Sequence, residues 1–146
     1  MTKPIQHKTF KAEFGAGIYF IGDPCYALKE ELYEKWGTEN NYDDGDYGYF
    51  AVGSTKYGDG TYYDNFYRAY GVDAGILGVV NMEYSEPDKY DVDLLNELGR
   101  LVRVKDKLIF EYNHETCTFI YSYDGTNLDI LTDEIEEDGE DIENEW

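Results

Sequence analysis

The stretch IYFIGDPCYAL, residues 18–28, contains the pattern that decides the fold. If it begins as a strand, Ile18 and Phe20 face one side of the sheet, and Tyr19 and Ile21 face the other. Apolar residues on both faces are typical of a strand in the interior of a sheet. The pattern therefore predicts that this strand has neighbours on both edges.

The strand stops at Gly22-Asp23-Pro24, which favours a strand-to-helix corner. Asp23 suits the N-cap position, and Pro24 suits the first helical position because its missing N–H is not needed there. Apolar residues then recur every four positions, at Leu28, Leu32 and Trp36. This stripe predicts an amphipathic helix over 26–36, with Gly37 as the residue that ends it.

Short alternating segments surround this corner and predict a mainly β protein. Before and after the helix, we expect strands at 8–13, 18–22, 47–55, 60–64, 67–72 and 75–82, with a turn at 15–17. A helical turn is expected at 92–98. The last third predicts a meander of strands at 100–104, 107–112, 116–123 and 127–131, with turns at Lys105-Asp106 and Asp124-Gly125. The alternation predicts that Phe110, Phe119 and Tyr121 are buried.

The chain of 146 residues is long enough for one domain with its own core. We predict a mainly β (α+β) fold, with a single antiparallel β-sheet, barrel or sandwich and one amphipathic helix packed on it. The β-rich domain should span 1–132. Residues 133–146, DEIEEDGEDIENEW, form an acidic C-terminal tail that we expect to remain disordered until it meets a basic surface.

Charge limits the classes of partner. The net charge is −20, and the tail alone has nine acidic residues and no Lys or Arg. Phosphates would repel such a protein, so direct nucleic-acid binding is not expected, whereas a protein with a basic surface is a suitable partner. A small domain needs a net charge of only ~2–8 for solubility. The candidate partner-binding residues are Asp43, Asp44, Asp46, Glu134, Glu136, Glu137, Asp138, Glu140 and Asp141.

No signal-peptide pattern and no apolar run of ~18 residues occurs, so we expect a cytoplasmic protein with no membrane segment. Cys25 and Cys117 are then expected to be reduced, although a bridge between them stays open. No phosphate-cradling, zinc-binding or serine-nucleophile motif is present, and no cofactor is expected.

Three glycine–aspartate loops stand out, at 22–26 (GDPCY), 57–64 (YGDGTYYD) and 70–80 (YGVDAGILGVV). Together they resemble a family of small, poorly characterised proteins from bacteriophages and their hosts, over residues 17–80. The resemblance implies a phage or prophage setting and brings no established activity with it. The acidic C-terminal end is not part of the family pattern.

The favoured function is therefore a phage-encoded acidic binding protein that inhibits a host defence factor, with DNA mimicry as one route. Same-face carboxylates on a strand recur every ~6.7 Å, close to the ~7 Å between phosphates of one DNA strand. One alternative is a small-ligand-binding or sponge module, and another is a metal-dependent hydrolase in which Asp59, Asp64 and Asp73 converge. The candidate ligand-loop residues are Asp23, Cys25, Asp59, Tyr62, Tyr63, Asp64 and Asp73. No catalytic residue and no metal ligand is assigned.

Overall fold

A computed structural model describes residues 9–86 and 91–132. The strands are β1 (Thr9–Gly22), β2 (Gly45–Asp46), β3 (Phe50–Ser54), β4 (Gly60–Tyr63), β5 (Ala69–Val72), β6 (Ile76–Asn81), β7 (Arg100–Asn113), β8 (Thr118–Tyr123) and β9 (Thr126–Leu131). The α-helices are α1 (Glu30–Asn40) and α2 (Val92–Leu98), and 3₁₀ turns lie at Pro24–Tyr26 and Met82–Tyr84. The protein is mainly β, as predicted.

Seven strands form one antiparallel sheet in the order β2-β3-β6-β1-β7-β8-β9, and β4 pairs with β5 in a separate two-stranded hairpin. The strand at 18–22 lies between β6 and β7, which confirms the interior position predicted from its two apolar faces. Its alternation is also confirmed. Tyr19 and Ile21 belong to the core on one face of the sheet, and Phe20 belongs to the core on the other.

The two cores have different covers. The β4–β5 hairpin packs over the first core through Tyr62, Tyr70 and Val72. The second core lies under α1 and α2, which contribute Trp36 and Leu95. A sheet with both faces covered needs apolar residues on both sides, and β1 provides them.

The sheet is strongly curled. The Tyr121 hydroxyl on β8 donates to the Gly78 carbonyl on β6 at 3.1 Å, although β1 and β7 lie between these two strands. In a flat sheet these strands would be ~14 Å apart, beyond the reach of one tyrosine. A further contact has the same cause: the Tyr112 ring on β7 packs against Gly53 on β3 and leaves no room for a Cβ there.

Two predicted turns are wrong, because each lies inside a long strand. β1 and β7 each run for 14 residues, and the pairing shifts between Gly15–Lys107 and Gly17–Val104. The segments 15–17 and 105–106 are therefore parts of a β-bulge, where glycine and polar residues allow a bend without ending the strand. The Asp124 carboxylate accepts the N–H groups of Lys105 and Asp106, which the bulge leaves without strand partners.

The helix prediction was right in existence and wrong in its bounds. Asp23 and Pro24 begin the short 3₁₀ turn, and α1 begins only at Glu30. The chain leaves helical geometry between them because the Lys29 N–H donates to the Tyr84 carbonyl. Gly37 lies inside α1, where the Tyr42 ring occupies the space of a Cβ, and the helix ends at the left-handed Asn41.

The other predictions for the last third hold. Phe110, Phe119 and Tyr121 are buried, β7, β8 and β9 form an antiparallel meander, and Asp124-Gly125 is the turn between the last two strands. α2 lies where the helical turn at 92–98 was expected. The strand predicted at 47–55 begins three residues later, at Phe50.

Candidate functional site

The glycine–aspartate loops meet at one end of the sheet. Asp23 is fully buried, and its Oδ2 accepts the N–H groups of Asp73 and Ala74 at 2.9 and 2.8 Å. Its Oδ1 accepts the Cys25 N–H at 3.0 Å. The carboxylate therefore joins the loop at 22–26 to the loop at 73–75 and has a hydrogen bond at each oxygen.

The loop at 57–60 is connected to the loop at 73–75 through Thr55. The Thr55 hydroxyl donates to the Gly58 carbonyl at 2.7 Å, and the Thr55 N–H donates to the Gly75 carbonyl at 3.0 Å. The Tyr62 hydroxyl also donates to the Gly58 carbonyl. Tyr62 is thus a buried packing residue, and these contacts lock the loops together.

Asp64 does not join this group. It lies after β4, 4% exposed, and its Oδ1 accepts the N–H groups of Phe66 and Arg68 at 2.8 and 3.0 Å. Its Oδ2 accepts the Tyr70 hydroxyl at 2.7 Å and lies 3.6 Å from the Arg100 guanidinium. Burial, followed by the hydrogen bond to Asp64, raises the pKa of Tyr70 well above 10.0, so this hydroxyl stays a donor.

The predicted cluster of Asp59, Asp64 and Asp73 is therefore not assembled as a metal or acid–base centre. Asp59 and Asp73 are exposed, whereas Asp64 is buried and held by Tyr70 and Arg100. Within 9–86 and 91–132, no group of three or more His, Cys, Asp or Glu residues has an arrangement that could hold a metal ion. Tyr63, the remaining ligand-loop candidate, points outward and is exposed.

Cys25 and Cys117 do not form a disulfide bond, so the bridge that the sequence left open is absent. Cys25 lies in the corner capped by Asp23 and is half-buried. Cys117, in a left-handed conformation (φ 56°), has its Sγ 3.7 Å from the buried Tyr112 hydroxyl.

One depression in the described surface has a volume of about 320 Å³. It lies between β7 and the β8–β9 hairpin, and its lining combines Lys107, Ser122 and Thr126 with the apolar Ile109. None of the three glycine–aspartate loops contributes to it. The predicted ligand loops and this depression are therefore separate features.

The acidic loop at 43–46 extends the negative charge of α1. Asp43 and Asp46 are exposed, and Asp44 is half-buried with its Oδ1 accepting the Ser54 hydroxyl at 2.9 Å. Burial raises the pKa of Asp44 above its ordinary value of 3.8, although the hydrogen bond from Ser54 acts in the opposite direction.

Further acidic side chains lie on α1 and in the segment 83–86, and we call these side chains, together with Asp43 and Asp46, the α1 face. Glu30 on α1 and Glu86 are joined by a backbone N–H to carboxylate hydrogen bond of 3.2 Å, so two segments contribute to one surface. The α1 face comprises Glu30, Glu31, Glu34, Glu39, Asp43, Asp46, Glu83 and Glu86. Sequence reasoning named Asp43, Asp44 and Asp46 as partner-binding candidates and did not name the glutamates of the helix, although they were visible in its polar stripe.

Charge is distributed asymmetrically. Residues 29–46 contain seven acidic residues and two lysines, whereas β7 contains four basic and two acidic residues. The ion pairs Arg100–Asp64 and Lys107–Glu13 both involve β7. The nine described strands together carry only five acidic residues, so the phosphate-like row expected along a strand is absent from them.

The tail candidates Glu134, Glu136, Glu137, Asp138, Glu140 and Asp141 lie outside the described residues. Thr132, the last described residue, is held in place because its hydroxyl donates to the Cys117 carbonyl and accepts the Lys56 N–H. The described part of the chain is therefore anchored at Thr132 by two other segments of the domain.

Comparison of the chain with protein-family models, with curated proteins and with solved structures finds no match in any of the three. The phage resemblance of residues 17–80 thus stays a prediction. In the part of the chain that the structure describes, no helix has both the length and the apolar character needed to cross a bilayer.

Proposed function

We propose that this chain is a binding protein that docks its carboxylates on the basic surface of another protein. The observation that carries the proposal is the charge asymmetry between the α1 face and β7. If the acidic residues served solubility alone, they would not need to be distributed asymmetrically. A net charge of ~2–8 would also be enough for the solubility of a small domain. A one-sided field steers a basic partner to one face and speeds its association.

The proposed setting is a phage or prophage, where the partner is a host defence factor and the effect is inhibition. DNA mimicry is the proposed route if that factor binds DNA. Glu30 and Glu34 are one helical turn apart, a rise of about 6 Å, which approaches the ~7 Å between successive phosphates of one strand. The helix, rather than a strand, would then provide the phosphate-like spacing.

Affinity capture with charge-neutralised variants tests the proposal. The variant Glu30→Gln/Glu31→Gln/Glu34→Gln neutralises three exposed positions of the α1 face. The matched control, Asp59→Asn/Asp106→Asn/Glu111→Gln, removes the same charge elsewhere. We expect the native protein to retain a basic partner from a bacterial lysate at ~0.1 M salt and to release it as salt rises. The α1 variant should lose the partner, and the control should keep it.

The purified partner then provides a functional readout: its DNA cleavage or DNA binding should fall when the native protein is added. Equal retention by both triple variants, or retention that salt does not alter, would contradict the proposal. A small molecule that stays bound in native mass spectra would instead favour the ligand-binding alternative.

A further inference from the structure

Aromatic rings connect the segments that carry the acidic side chains of the α1 face. Trp36 on α1 is buried, and its ring centroid lies 5.1 Å from that of Tyr42 and 5.4 Å from that of Phe50. Phe50 in turn contacts Tyr49, and the Tyr49 ring centroid lies 5.3 Å from that of Tyr84. A continuous chain of rings therefore runs from the end of α1, past the start of β3, to the second 3₁₀ turn.

The two ends of this chain of rings are exposed, whereas its middle is buried. Tyr42 and Tyr84, which we call the tyrosine pair, are 55% and 40% exposed. Tyr42 lies against the buried Trp36, and Tyr84 lies against the half-buried Tyr49, so neighbouring rings hold both side chains in place. Exposed aromatic side chains that are already held in place are typical of binding hot spots, because they lose little conformational entropy when a partner covers them.

The sequence departs from two local rules in order to place the Tyr42 ring. Tyr42 has a left-handed backbone (φ 57°), which residues with a Cβ rarely adopt. Its ring lies over Gly37 and leaves no room for a Cβ there, so α1 has a helix-weakening glycine in its interior. Contact with Trp36 offsets part of this cost, yet Tyr42 stays more than half exposed. Departures of this kind are typical of functional positions.

Carboxylates of the α1 face lie close to the rings. The Trp36 indole N–H donates to the Asp43 carbonyl at 3.0 Å, which places the exposed Asp43 beside one end of the chain of rings. Near the other end, burial, followed by the negative charge of Glu39, raises the pKa of Tyr49, the residue on which Tyr84 packs. Carboxylates and the faces of aromatic rings both attract cations, so this combination favours a cationic occupant.

Charge also restricts the source of that cation. A second copy of this chain would carry the same net charge of −20 and would be repelled. A basic protein surface offers arginine and lysine side chains. A guanidinium group is planar, stacks on aromatic faces and is more weakly hydrated than an ammonium group, so arginine suits exposed rings better than lysine does.

We propose that Tyr42 and Tyr84 are the binding hot spot of the α1 face, and that their occupant is an arginine-bearing segment of the basic partner, whose guanidinium groups stack on the two rings. The inference rests on the proposed function, because it assigns an anchor on the same face to the same class of partner. It adds that two uncharged rings contribute to the affinity, whereas the carboxylates determine how that affinity depends on salt.

Octa-arginine and octa-lysine peptides are the probes, with affinity measured by calorimetry at several salt concentrations. The variant Tyr42→Asn/Tyr84→Ser removes both rings, and asparagine suits the left-handed backbone at position 42. It should bind octa-arginine about five- to thirtyfold more weakly and should lose preference for octa-arginine over octa-lysine. Its salt dependence should stay native, because no charge changes. The variant Tyr42→Phe/Tyr84→Phe keeps both ring faces and should bind as the native protein does.

A single variant makes the test independent of any loss of folding at position 42. Tyr84→Ser leaves the contact between Tyr42 and Trp36 in place. It should weaken octa-arginine binding about two- to fivefold, since one ring is removed. Native affinity in this variant would contradict a role for Tyr84 in the hot spot.

The matched control is Tyr63→Ser/Phe66→Ser, on the β4–β5 hairpin. Tyr63, Phe66 and their neighbour Tyr67 are 58%, 59% and 88% exposed, and the hairpin packs over the core on the sheet face opposite α1. The control therefore removes exposed aromatic side chains without a change on the α1 face. It should bind both peptides as the native protein does.

The outcomes separate the inference from the proposed function. If the variants of the tyrosine pair keep native affinity and preference while Glu30→Gln/Glu31→Gln/Glu34→Gln weakens binding, the inference fails and the proposed function stands. If the hairpin control loses as much affinity as the tyrosine variant, exposed rings in general bind the peptide, and the inference also fails. If the native protein binds neither peptide, both fail.

Discussion

Replacement of Asp23 separates two accounts of the strand-to-helix corner. As an N-cap alone, this residue would contribute ~0.5–2 kcal/mol. In the structure its buried carboxylate accepts three backbone N–H groups, from Cys25, Asp73 and Ala74. A buried donor that loses its acceptor costs ~1–3 kcal/mol, and some of this cost is recovered if water enters the space left by the carboxylate. We therefore expect Asp23→Ala to lower the free energy of unfolding by about 3–5 kcal/mol.

A graded series makes the test sharper. Asp23→Asn keeps one acceptor oxygen, which can serve either Cys25 or the Asp73–Ala74 pair but not both. The cost should therefore be intermediate, about 1.5–3 kcal/mol. Asp91→Ala is the matched control, because Asp91 caps α2 through one exposed bond of 3.1 Å to the Leu94 N–H. That variant should cost ~0.5–2 kcal/mol and so measures a simple cap in the same protein.

Urea denaturation followed by circular dichroism measures these differences. With an m-value of ~2 kcal/mol/M, the midpoint of Asp23→Ala should fall by about 2 M, against less than ~1 M for Asp91→Ala. The expected order of stability is native, Asp91→Ala, Asp23→Asn and Asp23→Ala, with the middle two allowed to overlap. If Asp23→Ala and Asp91→Ala lose the same free energy, the reasoning is refuted, and Asp23 is only a cap.

Three other predictions follow from the described contacts and the charge distribution. Burial raises the pKa of Asp44, so the folded protein binds the proton of this carboxyl group more tightly than the unfolded chain does. As the pH rises above 3.8, the buried negative charge of Asp44 therefore lowers the free energy of unfolding. The variant Asp44→Asn keeps an acceptor for the Ser54 hydroxyl and should be more stable than the native protein at pH 7. Thermal melts should show that this gain in stability shrinks as the pH falls toward 3.8. A gain that stays constant with pH would contradict the prediction. The variant Tyr67→Asn should raise the free energy of unfolding by about 0.5–1 kcal/mol in urea titrations, because asparagine tolerates the left-handed backbone. A lower urea midpoint for this variant would show that the Tyr67 ring contributes more packing than its exposure indicates. Deletion of 133–146 should leave the melting cooperativity intact and should reduce the salt dependence of octa-arginine binding. If the salt dependence does not change, the binding belongs to the α1 face alone, and the tail serves solubility.

Periodicity along the chain was sufficient for much of the fold. The two apolar faces of residues 18–21 predicted an interior strand, and the alternation around Phe110, Phe119 and Tyr121 predicted which side of the meander is buried. Asp124-Gly125 predicted the turn between β8 and β9. These features are local, because side-chain direction in a strand repeats every two residues and tight turns need particular residue types.

Local patterns were insufficient where a segment could serve two purposes. Gly15–Gly17 and Lys105-Asp106 have turn-like compositions, yet they form a bulge because β1 and β7 gain more by continuing to pair than by ending. Likewise, the segment predicted to start the helix is held outside helical geometry by the bond from Lys29 to Tyr84. The partner in each case is tens of residues away and leaves no mark on the local sequence.

For the candidate site residues, too, the sequence determined some features and only the tertiary structure determined others. Composition alone determined the excess of carboxylates and the acidic segment at 133–146. Only the tertiary structure decided that Asp23 joins two loops, that Asp64 is held by Tyr70 and Arg100, and that Tyr63, Phe66 and Tyr67 are exposed together. In the sequence, a buried aspartate or tyrosine cannot be distinguished from an exposed one. Its role depends on which distant N–H groups, hydroxyls and strand edges the curled sheet brings within ~3 Å of it.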